Sequence, residues 1–175
     1  MRKLIFLTAC LAAAFPLFAQ SLKDTFAKHW QTSQDFTVAV AEAMPAGDYN
    51  FKPNPEEMCF GKLMAHIAMA NNANFAMVSG LKAPAVPDAI SAAYKANANF
   101  DKAATIQFLK ESFDFCTRAL NEVTEEKMHA MTGPAGRQLT GFERLWSYFT
   151  HTAHHRGQAE VYMRVKDIKP PAYKF

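Results

Sequence analysis

Residues 145–165 read LWSYFTHTAHHRGQAEVYMRV, and this stretch decides the fold. It carries three of the chain's six histidines, His151, His154 and His155. On an α-helix, residues four apart lie on one face, one turn apart. His151 and His155 therefore aim at one point, and a third ligand from another helix closes a facial site. His66, in KLMAHIAMA, is the best-placed third ligand. His154 can pair with His151 at a spacing of three. It points about 100° away from His155, so those two cannot both face one ion from a regular helix.

Spacing alone leaves the choice of histidines open. HxxxH is a weak pattern, because the glutamate of HExxH is missing. A lone histidine on an apolar helix is more often a hydrogen-bonded core residue than a ligand. His29 and His129 read as surface or loop residues and are assigned nothing.

Outward from this stretch, the chain has 175 residues, half of them apolar, with fifteen Phe, nine Met and two Trp. That is ample material for one core and argues against disorder. The first residues, MRKLIFLTACLAAAFPLFAQ, show a basic start, an apolar run from Leu4 to Phe18 and a small Ala19. This is the pattern of a secretory signal, with cleavage expected after Ala19, and residues 1–19 are excluded from the fold. LTAC at 7–10 resembles a lipoprotein box with Cys10 acylated, but only a very short apolar segment precedes it. Beyond the N-terminus no apolar run is long enough to span a bilayer. Removing 1–19 takes Arg2 and Lys3 and no acid from a chain of net charge +3, which leaves +1. A near-neutral domain offers no electrostatic footprint for nucleic acid. The expected location is periplasmic or extracellular, as one domain over 20–175.

Apolar periodicity predicts four long helices. The first runs from Ser21 to about Met44 on Phe26, Trp30, Phe36 or Thr37, Val40 and Met44, and Pro45 and Gly47 stop it. AGDYNFKPNPEE is a connector. The second helix is expected from about Pro55, with Glu56 and Glu57 in its first turn, to Ser79, with Gly80 as stop. Its stripe is Phe60, Leu63, Met64, Ile67, Asn71, Asn74 or Phe75, and Val78. KAPAVPDAISAAYKANAN is a longer crossover with a helical turn near Ile90 to Tyr94. The third helix runs from about Asn99 to Val123, on Phe100, Ala103 or Ala104, Phe108, Phe115 and Leu120. TEEKMHAMTGPAGRQLT is a polar link, and the fourth helix runs from about Thr140 to Val165, where Pro170 and Pro171 forbid continuation.

Four helices of similar length predict an all-α four-helix bundle. The short first and last links favour antiparallel neighbours, and the long middle link permits the second and third helices to run parallel. In that layout Cys59 and Cys116 are roughly 20 Å apart along the bundle, too far for a disulfide, and both read as small buried apolar residues. The Met-rich second helix reads as core rather than a copper site.

On the fourth helix, Phe142, Trp146, Phe149, Ala153 and Gly157 form an apolar stripe that should pack inward. The histidines lie far from it, so this helix is expected to be buried on two sides. The histidine face carries Ser147, Tyr148, Gln158, Ala159 and Tyr162, and Arg144 marks where it meets water. Gly157 is expected to permit close helix approach. Arg156 is expected to form an ion pair that holds the helix to a neighbour, in preference to binding an anionic substrate group.

The segment HTAHHRGQAEVYMRVKDIKPPAY resembles the closing helix of the DinB-like (DinB/YfiT) metalloproteins. AMPAGDYNFKPNPEEMCFGKLMAHIA is similar to the same family's entry to its second helix and first ligand. The resemblance covers nearly the whole mature chain. It implies a four-helix bundle of up-down-down-up topology and a metal site whose three histidines are His66, His151 and His155, leaving His154 out. Members include thiol-dependent transferases and an isomerase that use cytosolic low-molecular-weight thiols, from which an exported chain departs. Nothing resembles a DNA polymerase.

Three imidazoles suit one divalent metal, zinc first, with nickel and iron(II) also compatible. They leave a coordination position for a small-molecule substrate. Two functions follow: a metal-dependent hydrolase or transferase of unknown substrate, or a non-catalytic module that binds a metal or a small ligand. No general acid or base is assigned; Tyr148 and Tyr162 stand near the histidine face as hydrogen-bonding groups. A homodimer is compatible with the pattern.

Overall fold

A computed structural model describes residues 22–173. The secretory pattern of residues 1–19, with Cys10 and the cut after Ala19, lies outside the described residues. The helices are α1 (Leu22–Ala43), α2 (Phe60–Ser79), α3 (Asp88–Ala96), α4 (Lys102–Asn121), α5 (Glu125–His129) and α6 (Gly141–Val165). A short hairpin, β1 (Met131–Thr132) with β2 (Leu139–Thr140), precedes α6. The four long helices are the four that the periodicity predicts, and with them the chain is an all-α bundle. The link after α4 is more ordered than its polar sequence suggests. Thr124 caps α5 by accepting from the Lys127 N–H, and Gly133 and Gly136 take the positive φ angles its turns need.

Helix α2 is the central element. Phe60, Leu63, Met64, Ile67, Asn71, Phe75 and Val78 are all buried, as their spacing predicts. Burial of large apolar side chains contributes about 1.5–3 kcal/mol each, and this stripe is the densest run of them. Gly80 ends the helix in the left-handed conformation, its N–H donating to the Ala76 carbonyl.

The start of α2 differs from the expectation. The helix begins at Phe60, not near Pro55. Asn54 organises a separate turn, accepting from the Glu56 N–H on its side chain and the Glu57 N–H on its carbonyl. The chain then turns back, so that Phe60 and Gly61 donate to the carbonyls of Phe51 and Tyr49. Glu56 and Glu57 are exposed in that turn, outside the helix.

Contacts between helices show their relative directions. Lys23, at the start of α1, donates to the carbonyls of Asn121 and Val123 at the end of α4, so these two run oppositely. Gly61 lies against Phe100 just before α4, and Ser112 donates to the Ala68 carbonyl, so α2 and α4 run together. Tyr162, late in α6, donates to the Met58 carbonyl just before α2, so α6 runs against α2. The core between them is aromatic: Trp30 lies 4.5 Å from Phe75 and 5.6 Å from Phe113, centroid to centroid. Cys59 and Cys116 are free and buried. Among the described residues, no helix is long and apolar enough to cross a membrane.

Helix α6 starts with a capping box between Thr140 and Glu143. Its buried face corrects the expectation. Leu145, Thr152, His155, Arg156, Ala159, Tyr162 and Met163 face inward. The aromatic stripe is only half-buried: Phe142 and Phe149 pack against the edge of the core, Phe149 reaching Phe26, while Trp146, stacked on both, is 53% exposed. The inward arc is instead set by residues with partners on α1 and α2. Arg144 does not meet water. It is buried, and it donates to Asn74 and to the side chain and carbonyl of Thr132. Gly157 is exposed with no neighbour that a side chain would meet, so it permits no close approach.

Candidate metal centre

One buried pair sets the register that assembles the site. Asn71 on α2 and Thr152 on α6 exchange hydrogen bonds, Nδ2 to Oγ1 at 3.1 Å and Oγ1 to Oδ1 at 3.2 Å. Leaving either buried group unpaired would cost roughly 1–3 kcal/mol, so the pair resists sliding of one helix along the other. Thr152 lies between His151 and His155 in the chain, and His66 lies about one turn before Asn71. The antiparallel run then brings His66 opposite both.

The structure brings together the three histidines named from the sequence. His66 Nε2 is 3.1 Å from His151 Nε2, and His151 Nε2 is 3.1 Å from His155 Nε2. All three ligand atoms lie within 4.8 Å of one another. Two nitrogens bound to one ion at about 2.1 Å in tetrahedral geometry are roughly 3.4 Å apart, so the observed spacing suits a shared ion. His154 stands apart: it is exposed, and its ring meets that of His155 in a T-shaped contact, 4.9 Å between centroids, away from the converging Nε2 atoms.

The other ring nitrogens show which way the lone pairs point. His155 Nδ1 is 2.7 Å from Gln158 Oε1, an acceptor, so Nδ1 carries the proton and Nε2 presents its lone pair to the cluster. His66 Nδ1 is 3.0 Å from the Tyr94 hydroxyl. His151 Nδ1 is buried with no partner. Such partners on the far nitrogen orient metal-ligating imidazoles. Gln158, three residues after His155, is legible from helical spacing. Tyr94 is not: it arrives on α3, in the crossover, where no spacing rule links it to His66. Lys62 sits over the Tyr94 ring, 4.6 Å from its centroid. Tyr148 packs against His151, while the Tyr162 hydroxyl holds α6 to the loop before α2.

Electrostatics keep the ligands neutral. Burial pushes the His151 pKa down to about 4, with the neighbouring His155, His66 and His154 adding to the effect. His66 is lowered by burial, then by His155 and Lys62. His155 is lowered by burial, while its bond to Gln158 acts in the opposite direction. Among the described residues, no carboxylate is a cause of the shift at any of the three rings. Three neutral imidazoles with converging lone pairs fit a divalent cation and leave its charge uncancelled.

Arg156 corrects a second expectation. Among the described residues, it makes no ion pair with another helix. Its Nη1 donates to Ser33 Oγ at 2.9 Å, Ser33 O at 3.3 Å and Thr37 Oγ1 at 3.2 Å, and its guanidinium lies over Phe36. It ties α6 to α1 through neutral oxygens.

Comparison with known proteins agrees with this architecture. The family model described as the DinB superfamily matches residues 29–159, a span that contains all three histidines. A DinB-like protein from Bacillus subtilis is similar with a TM-score of 0.68 and 22% identity, over 86% of this chain and 97% of that one. Another from Bacillus cereus has a TM-score of 0.71 and 18% identity, over 85% and 95%. A conserved protein from Enterococcus faecalis has a TM-score of 0.66 and 16% identity, over 84% and 98%. No curated protein matches the chain.

Proposed function

This chain belongs to the DinB superfamily, and on that premise we propose that it is an exported protein holding one divalent metal, zinc first, through His66, His151 and His155. The metal would serve a hydrolytic or transfer reaction on a small molecule. One observation carries the reading: three uncharged imidazoles from two helices converge through their Nε2 atoms. When bound, such a metal supplies Lewis-acid polarisation of an electron-rich substrate group. The residues of the chain do the rest. Gln158 fixes the tautomer of His155, Tyr94 orients His66, and the Asn71–Thr152 pair holds the two helices in register.

The neutral ligand set favours an anionic oxygen or sulfur group in the open position, because none of the three ligands is anionic. The absence of a carboxylate acting on the three rings also favours a second reading, a non-catalytic module that captures a metal or a small ligand. Support for export comes from the basic and apolar pattern of residues 1–19.

Metal analysis of protein purified without a histidine tag tests the site. One equivalent is expected, and it should be lost in His151→Ala; unchanged content in that variant would overturn the proposal. Chelator-sensitive turnover of ester, amide or thiol-conjugate panels would support the enzyme, and no turnover by fully loaded protein would support the module. N-terminal sequencing of protein recovered from the cell exterior or periplasm should begin at Gln20.

A further inference from the structure

A second polar centre lies on a flank of α6 that the histidines do not use. Arg156 is only 7% exposed, and a buried charge is costly unless it is paired. Its Nη1 is satisfied by Ser33 and Thr37, and Phe36 covers one face of the guanidinium at 4.6 Å. Among the described residues, no carboxylate lies within ion-pair distance of it, and Nε and Nη2 have no hydrogen-bond partner. Glu160, the acid one turn further along α6, acts on Arg156 only at longer range and sits 3.7 Å from Arg164. The guanidinium borders a pocket of about 90 Å³, between Thr32 and Ser33 on α1, Phe149 on α6 and Tyr173 of the tail, with His29 also lining it. That volume is several times what one water requires. Among the described residues, none that line it is acidic.

We propose that this pocket is a binding site for a small oxyanion, received by the guanidinium of Arg156 between α1 and α6. A planar guanidinium with free N–H groups matches a carboxylate or a tetrahedral oxyanion in a two-point fashion. The pocket's size limits the guest to such a group, free or as the end of a slender molecule. The buried charge, which has no carboxylate within ion-pair distance among the described residues, is then balanced by the guest. The site is independent of the metal centre, since its residues face α1 rather than α2.

The test is calorimetric or NMR titration of chelator-treated full-length protein with inorganic phosphate and, separately, with acetate. Saturable one-to-one binding of either probe is expected. Removing a charge-assisted hydrogen-bond donor should weaken it roughly tenfold or more in Arg156→Gln. Because that variant removes a buried tie between helices, His29→Glu provides a second arm at an exposed position. It places a carboxylate beside the pocket and should weaken binding similarly. Preference for phosphate supports a phosphate group as guest, and preference for acetate supports a carboxylate. Saturation by neither probe overturns the proposal, as does binding that survives both substitutions unchanged.

Discussion

The pH dependence of metal binding follows from the burial of the three rings. Lowering the pH from about 7.5 to about 5.5 crosses the ordinary imidazole pKa of about 6.5. A histidine with that pKa is roughly one-tenth protonated at the start and ten-elevenths at the end, so it weakens metal binding about tenfold. Three such ligands would together cost roughly a thousandfold. His151 departs from this, because burial pushes its pKa down to about 4. At pH about 5.5 it is only about 3% protonated and contributes almost nothing to the loss. His66 and His155 are shifted the same way. The loss of affinity across the interval should therefore fall well short of a thousandfold. Zinc competition against a chromophoric chelator, corrected for the chelator's own protonation, measures it. A thousandfold loss or more would refute the reasoning, since the rings would then be titrating as if solvated.

The metal-free protein provides the matching sign. Below about pH 6.5 the unfolded chain takes up protons on these histidines that the folded chain does not, so stability falls as pH falls, until the folded rings titrate. For His151 that window closes near its folded pKa of about 4. Urea midpoints of the metal-free protein should decline over this range, and less so in His151→Ala.

Three further outcomes test the rest of the architecture. Tyr94→Phe removes the hydroxyl 3.0 Å from His66 Nδ1, and apparent metal affinity should drop roughly 10- to 100-fold with little change in urea stability; an unchanged affinity would remove Tyr94 from the site. Gly61→Ala places a methyl group against the Phe100 ring, 2.6 Å from its Cγ, and should destabilise by about 1–3 kcal/mol in urea unfolding. Trp146→Gln should cost less than about 1 kcal/mol, whereas Leu145→Ala, one residue earlier and fully buried, should cost about 2–5 kcal/mol. Equal losses at the two positions would mean that the aromatic stripe packs inward after all.

The four long helices were legible because apolar spacing and helix-stopping Gly and Pro are local properties. Phe60, Leu63, Met64 and Ile67 announce a buried stripe without reference to any other helix. The histidines were legible too: a four-residue spacing sets His151 and His155 on one face, His66 was the best-placed third ligand on another helix, and the family resemblance pointed to the same three. Spacing misjudged α6, where hydrophobicity pointed to Trp146 and packing chose Leu145, Thr152 and Arg156. A polar residue is bought inward only by a partner, and those partners stand far away in sequence: Thr132 and Asn74 for Arg144, Asn71 for Thr152, Ser33 and Thr37 for Arg156. The same holds for Tyr94, whose bond to His66 depends on where the crossover lands. Helix formation and helix faces follow from neighbours along the chain, so sequence alone determined them. Which face wins, and which nitrogen is protonated, depend on hydrogen bonds between distant segments, and only the tertiary structure decided those.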